Sequence, residues 1–168
     1  MDHIRRVVLG LGSNVGDRVK SITQAVEELR LDRDVDVVKV SPFYETAAEG
    51  PPQAPPPAEP MPDFVNGAVL ILTSLPAAEI LARGLKIEQK LGRVRGKRYA
   101  PRTIDIDVLW IEGEAVAEPS LSVPHPMLRE RAFALRPLLD LAPDAKDEKG
   151  EAFADLPAAR VSLKPASV

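Results

Sequence analysis

Residues 66–111, NGAVLILTSLPAAEILARGLKIEQKLGRVRGKRYAPRTIDIDVLWI, decide the fold. The stretch opens on an aliphatic run, Asn66 to Thr73, that reads as a strand. Ser74-Leu75-Pro76 then starts a helix, because proline suits a first turn where its missing N–H is not needed. Ile80, Leu81, Leu85, Glu88 and Leu91 carry the helical pattern, and Gly92 is a stop signal. A basic segment follows, and Thr103 to Ile111 reads as a second strand. Strand, helix and strand in this order fit one half of a split β-α-β plan.

The N-terminal side supplies the other half. Val7-Val8-Leu9 opens a buried strand that runs into Gly10-Leu11-Gly12-Ser13-Asn14, read as a turn. Asp17 caps a following helix, whose apolar positions Val19, Ile22, Val26 and Leu29 fall three or four apart and so share one face. Val35, Val37, Val40 and Phe43 suggest another strand reaching Tyr44. Beyond Ile111, Pro124 and Pro126 bracket His125 in a turn. A third helix is expected from about Met127, with Leu135, Leu138 and Leu139 inward and Pro137 bending it or ending a first segment. The last residues, SLKPASV, are expected to fray. The order predicts an α+β fold: one domain over residues 1–168, with an antiparallel sheet and helices on one face.

Composition narrows the function classes. With 168 residues, 45% hydrophobic and 28% charged, the chain fits an ordinary globular protein with a real core. No apolar run approaches the roughly 20 residues of a membrane helix, and the N-terminal apolar stretch is too short for a signal peptide. A cytoplasmic location and no membrane partner are therefore expected. Cysteine is absent, which excludes disulfides, thiolate catalysis and Cys-ligated zinc. His3 and His125 alone cannot build a three-histidine metal site. A net charge of −3 argues against a dedicated nucleic-acid binder.

Proline is 17 of the 168 residues, and seven of these fall in GPPQAPPPAEPMP, between Pro51 and Pro62. Proline lacks the ladder donor, so this stretch reads as a semi-extended loop. A domain linker is the alternative, but the residues before it look too few for a domain of their own. An active-site loop at about 46–63 that closes over bound substrates is the expectation.

The chemistry centres on Asp105-Ile106-Asp107. On a strand, residues two apart share a face about 6.6 Å apart along the chain, leaving Ile104, Ile106 and Val108 for the core. Two such carboxylates repel unless cations lie between them. A solvated strand face, arginine pairing and paired Mg²⁺ ions are the open readings for an isolated pair. The ten residues from Arg93 to Arg102 hold five cations, Arg93, Arg95, Lys97, Arg98 and Arg102, and no acid. Guanidinium forks match phosphate oxygens. Set beside the two carboxylates, they point to a polyphosphate site.

These segments together resemble the 6-hydroxymethyl-7,8-dihydropterin pyrophosphokinase family. The matching pieces are LGLGSNVGDR, SPFYET, PDFVNGAV, EQKLGRVR, PRTIDIDVLW and VPHPMLRERAFALRPLLDLAP, in the family's order, across most of residues 5–143. The resemblance implies a ferredoxin-like α+β fold, ATP and the hydroxymethyl dihydropterin as substrates, and AMP and the pterin diphosphate as products; a monomer is the separate expectation. It implies two Mg²⁺ ions on Asp105 and Asp107, with Arg93 and Arg102 stabilising charge on the transferred group and Asp107 among the catalytic residues. Glu88, Arg95, Arg98, Val108, Ser122, His125 and Arg131 match positions around the nucleotide. Phe64 and Phe133 would sandwich the pterin, with Asn66 and Thr46 completing its pocket. The proline loop is longer than is common in the family, Tyr99 stands where tryptophan often occurs, and Ser120 where some members carry arginine.

Two other functions fit parts of the pattern. A nucleotidyltransferase also uses a Gly-Ser turn and an Asp-x-Asp strand, but close together, whereas here Gly12-Ser13 precedes Asp105 by more than 90 residues. A non-catalytic ferredoxin-like regulatory or RNA-binding module would show no metal-dependent ATP binding.

Overall fold

The computed structural model describes residues 3–47, 63–92 and 104–166. The proline-rich stretch and the five cations from Arg93 to Arg102 lie outside the described residues, and so does the expected closing loop apart from its ends at 46–47 and 63.

Among the described residues, eight strands and three α-helices run in the order β1 (Arg5–Ser13), α1 (Arg18–Arg30), β2 (Asp36–Val40), β3 (Tyr44–Thr46), β4 (Phe64–Thr73), α2 (Ala77–Lys90), β5 (Asp105–Ile111), β6 (Val116–Glu118), β7 (Leu121–Val123), α3 (Ala132–Leu141) and β8 (Lys164–Pro165). The main sheet is ordered β5-β1-β4-β3-β8, with β2 also on β4, and its pairings are antiparallel. This is the ferredoxin-like plan, with its second strand split into β2 and β3 around Ser41-Pro42. The single extended strand expected up to Tyr44 is therefore two. Proline has no amide to give the ladder, and the Ser41 hydroxyl accepts from the Ala68 amide at the break.

Local signals place the ends of the helices. The Asp17 carboxylate accepts from the Lys20 amide at 3.1 Å, closing the first turn of α1. Gly92, with φ of 101°, ends α2 in a conformation that a side chain disfavours. The third helix starts at Ala132 rather than Met127: the Arg131 amide still bonds the Met127 carbonyl in a turn, and Arg131 is the extended residue before the helix. Pro137 is buried inside a continuous α3.

The sheet has two differently used faces. Ile22, Ala25, Val26 and Leu29 of α1 and Ile80 and Ile87 of α2 pack on Val7, Leu9, Val69, Ile71, Ile106 and Val108. Leu85, expected inward, is 43% exposed on the far side of α2. On the opposite face α3 places Leu135, Leu138 and Leu141 against Val8, Ala68, Leu70 and Trp110. Helices thus cover both faces, not one. A register shift between Val8 and Leu9 lets Leu109 and Trp110 join the same core although they are adjacent in sequence. The chain after α3 adds the buried Phe153 to that core. Its end is partly tied down: Lys164–Pro165 pairs with β3, and the Ala166 amide donates to the Phe43 carbonyl at 2.9 Å.

No helix among the described residues is long and apolar enough to cross a membrane. Strand β3 is also held from above, because the Tyr44 hydroxyl donates to the Asp140 carboxylate on α3. Partial burial first and this bond second push the Tyr44 phenol up to about 12. An unfolded tyrosine ionises near 10, so stability carried by Tyr44 is complete below about pH 10 and is lost as pH rises toward 12. Tyr44→Phe should therefore cost about 1 kcal/mol at pH 8 and flatten the fall in stability between pH 10 and 12. Denaturant unfolding of both forms at pH 8 and pH 11 checks this.

Candidate active site

The face that carries α3 is only half covered. Alternation along β4 puts Phe64 and Asn66 on the same side as Ala68 and Leu70, but nearer the strand's start and beyond the buried core under α3. Gly10 and Gly12 of β1 and Asp105 and Asp107 of β5 lie on that side too. The strand register aligns them. Gly12 pairs with Asn66 on one side and with Asp105 on the other, and Gly10 pairs with Asp107. Asp105 and Asn66 therefore flank a residue with no side chain, and a floor opens between them.

Gly10 and Gly12 are strand residues, not the turn expected from GLGSN; the turn comes later, with Gly16 at φ of 65°. Their role is space. A Cβ on Gly12 would stand 2.7 Å from Asn66 Oδ1, and one on Gly10 would stand 3.1 Å from the Leu109 side chain. Asn66 is oriented from the other side, where its Nδ2 donates to Thr46 Oγ1 at 2.6 Å. This fixes which end of the amide faces β3.

Two clefts result. The first, about 170 Å³, is lined by Thr46, Phe64, Asn66, Asp105, Asp107 and Phe133, among others. The second, about 280 Å³, is lined by Val108, Ser122 and His125 together with Leu81, Glu118 and Leu121, and it too is bounded by Asp107. Asp107 is the residue the two clefts share. The residues that sequence reading grouped as a ring pocket thus fall in one cleft. Three of those it grouped around a nucleotide fall in the other.

Arg131, grouped with the nucleotide positions, lines the first cleft, and its guanidinium lies 5.5 Å from the centre of the Phe133 ring. Glu88 is 1% exposed and lies among the lining residues of neither cleft; its Oε2 accepts from the Ile106 amide at 3.0 Å. Arg93, Arg95, Arg98 and Arg102 fall outside the described residues.

His125 is carried by the loop after β7. Its amide donates to the Leu109 carbonyl at 2.9 Å, which ties that loop to β5. Its Nδ1 accepts from the Met127 amide at 3.3 Å, so the ring proton of the neutral form belongs on Nε2. Burial first and the Arg131 charge second hold its pKa below the usual histidine value, against a smaller opposing pull from Asp105. The imidazole is neutral at pH 7 and offers one donor.

Asp105 and Asp107 are half-buried carboxylates on one strand face, with Ile106 and Val108 in the core behind them. Among the described residues no group of three or more metal-ligating side chains is assembled. A pair of carboxylates on one strand face suits Mg²⁺, which keeps waters and takes substrate phosphates among its ligands.

Sequence reading missed Gly12, Leu81, Ala47 and Glu118 as cleft residues. Gly12 lies in the glycine motif that reads as a turn, and no local motif marks the other three; strand register and the packing of the β6-β7 hairpin bring them in.

The chain is similar to several known proteins. Residues 8–143 match the family model described as 7,8-dihydro-6-hydroxymethylpterin-pyrophosphokinase. The chain is 45% identical over 140 residues to the 2-amino-4-hydroxy-6-hydroxymethyldihydropteridine pyrophosphokinase of Methylorubrum extorquens, covering 83% of this chain and 84% of that one. It is 40% identical over 153 residues to the Bacillus subtilis protein of the same name, covering 91% and 87%. Among solved structures, a Plasmodium falciparum HPPK-DHPS chain with pteroate superposes with a TM-score of 0.67 at 14% identity. That match covers 91% of this chain but 44% of the solved one, so the chain spans under half of that longer protein. At such identity the likeness speaks for the fold alone.

Proposed function

The chain belongs to the 7,8-dihydro-6-hydroxymethylpterin-pyrophosphokinase family, and from that premise we propose that it transfers the pyrophosphoryl group of ATP to 6-hydroxymethyl-7,8-dihydropterin in folate synthesis. The observation that carries the reading is the pair of clefts meeting at Asp107. A flat heterocycle suits the first, between the aromatic side chains of Phe64 and Phe133, with the fixed Asn66 amide reading its polar edge. A nucleotide suits the second, along Val108, Ser122 and His125. The polyphosphate then runs past Asp107 toward the first cleft.

The hydroxymethyl oxygen attacks the β-phosphorus in line. An O–P bond forms, the bond from the β-phosphorus to the α,β-bridging oxygen breaks, and AMP leaves with that oxygen. The hydroxyl proton passes to solvent or to a neighbouring carboxylate. Little covalent chemistry falls to the protein, so its contribution is positioning and charge complementarity. Asp105 and Asp107 would hold Mg²⁺, which when bound supplies neutralisation of the triphosphate charge. Asn66 and Thr46 orient the pterin so that its hydroxymethyl arm points along the floor made by Gly10 and Gly12. Arg93 and Arg102 remain the proposed partners of the transferred group, on the sequence alone. His125 would donate its Nε2 proton to the polyphosphate.

Removing that donor should raise KM for ATP about tenfold, the worth of one hydrogen bond to a charged group. Steady-state kinetics of His125→Ala, with the pterin KM unchanged, checks it. The reaction itself is tested by product analysis with ATP, the hydroxymethyl dihydropterin and Mg²⁺. Stoichiometric AMP and pterin diphosphate support the proposal. Released inorganic pyrophosphate would support a nucleotidyltransferase instead, and ADP would support a single-phosphoryl kinase.

A further inference from the structure

Strand β5 is the end strand of the main sheet, with β1 as its ladder partner. An end strand has backbone donors that face away from the sheet and need another acceptor. The Ile106 amide is such a donor, and it sits between the two carboxylates of the site. Its acceptor is the Glu88 side chain, from the last turn of α2, at 3.0 Å. Glu88 is 1% exposed. Burying a carboxylate is costly unless its oxygens are used, so a glutamate here has a job that an apolar residue could not do. The side chain takes the place of a missing neighbouring strand at the one peptide that fixes how Asp105 and Asp107 are presented.

We propose that Glu88 is a positioning residue that sets the orientation of the Asp105–Asp107 pair by holding the Ile106 amide. This rests on the reading of those carboxylates as the metal-holding pair. The role needs an acceptor oxygen at that place, and glutamine supplies one. The nucleotide-contact role implied by family resemblance predicts a different result.

The experiment compares Glu88→Ala and Glu88→Gln with the parent chain. It reads amide hydrogen exchange at Ile106, Mg²⁺ affinity by calorimetry in the presence of a non-hydrolysable ATP analogue, and steady-state kinetics. Loss of an outer-shell partner typically costs about 10–100-fold in metal affinity or activity. Glu88→Ala should therefore speed exchange at Ile106 at least about tenfold and weaken Mg²⁺ binding by about 10-fold or more. KM for ATP should stay unchanged at saturating Mg²⁺. Glu88→Gln should stay within about threefold of the parent in all three, well inside the cost of losing the partner. If Glu88→Ala does not fold, Glu88→Gln still decides: a parent-like Mg²⁺ titration and Ile106 exchange support the proposal. Glu88→Gln as impaired as Glu88→Ala, or Glu88→Ala with unchanged Ile106 exchange, overturns it. Exchange and calorimetry need no turnover. An inactive protein that still shows the shift in both would refute the proposed reaction while leaving Glu88 in this role.

Discussion

Asp107→Ala should lower kcat by about 10³-fold, roughly 4 kcal/mol of transition-state stabilisation, with the fold intact. Asp107 is the one described residue that borders both clefts, so its loss affects both substrates where they meet. If it holds a metal ion, its removal takes away part of the charge neutralisation that a polyphosphate needs. The fold should tolerate the change. The Asp107 side chain points away from the core that Ile106 and Val108 enter, and its backbone pairing with Gly10 needs no side chain. Steady-state kinetics over a Mg²⁺ series, with thermal unfolding of both forms, checks the prediction. Unchanged turnover at saturating Mg²⁺ would remove Asp107 from the site.

Gly12→Ala should lower kcat/KM for the pterin by about 10²-fold, near 2.7 kcal/mol, and leave KM for ATP within about threefold, because the change lies in the other cleft. The added methyl would sit 2.7 Å from Asn66 Oδ1, and Asn66 cannot yield without breaking its 2.6 Å bond to Thr46. The fold has an easy escape, since the clash is with the end of a side chain. The pterin edge does not, since the displaced group is the one proposed to read it. Stability should fall by no more than about 1 kcal/mol. The Gly12→Ala, Asn66→Ala double variant tests the cause. If Asn66 transmits the damage, the double variant is no worse than Asn66→Ala alone, a failure of additivity expected of contacting residues. Additive losses would place the effect elsewhere.

How much of this was legible in the sequence depends on the range of each interaction. The Asp105 and Asp107 pair was readable because a period of two is local: Ile104, Ile106 and Val108 did enter the core opposite them. The Asp17 cap and the Gly92 stop were readable for the same reason. The floor was not. Gly12 matters because of what lies beside it on β4 and β5, and register between distant strands leaves no mark in the glycine's own neighbours. Reading GLGSN as a turn followed the usual meaning of clustered glycines, which here clear space inside a strand. Glu88 was singled out, but its burial beneath the Asp-Ile-Asp peptide depends on how α2 docks along β5. The side of the sheet taken by α3 was likewise a tertiary matter, as was the anchoring of residues 164–166 on β3, which an apparently frayed sequence did not reveal.

Two clefts meet at Asp107, and the proposed function gives one to the pterin and the other to the nucleotide. A crystal structure with a non-hydrolysable ATP analogue, the hydroxymethyl dihydropterin and Mg²⁺ tests it most directly. The pterin should lie between Phe64 and Phe133 with its edge on Asn66, the base along Val108 and His125, and the polyphosphate past Asp105 and Asp107. A nucleotide base seated on Asn66, or a polyphosphate that runs clear of both aspartates, would contradict it.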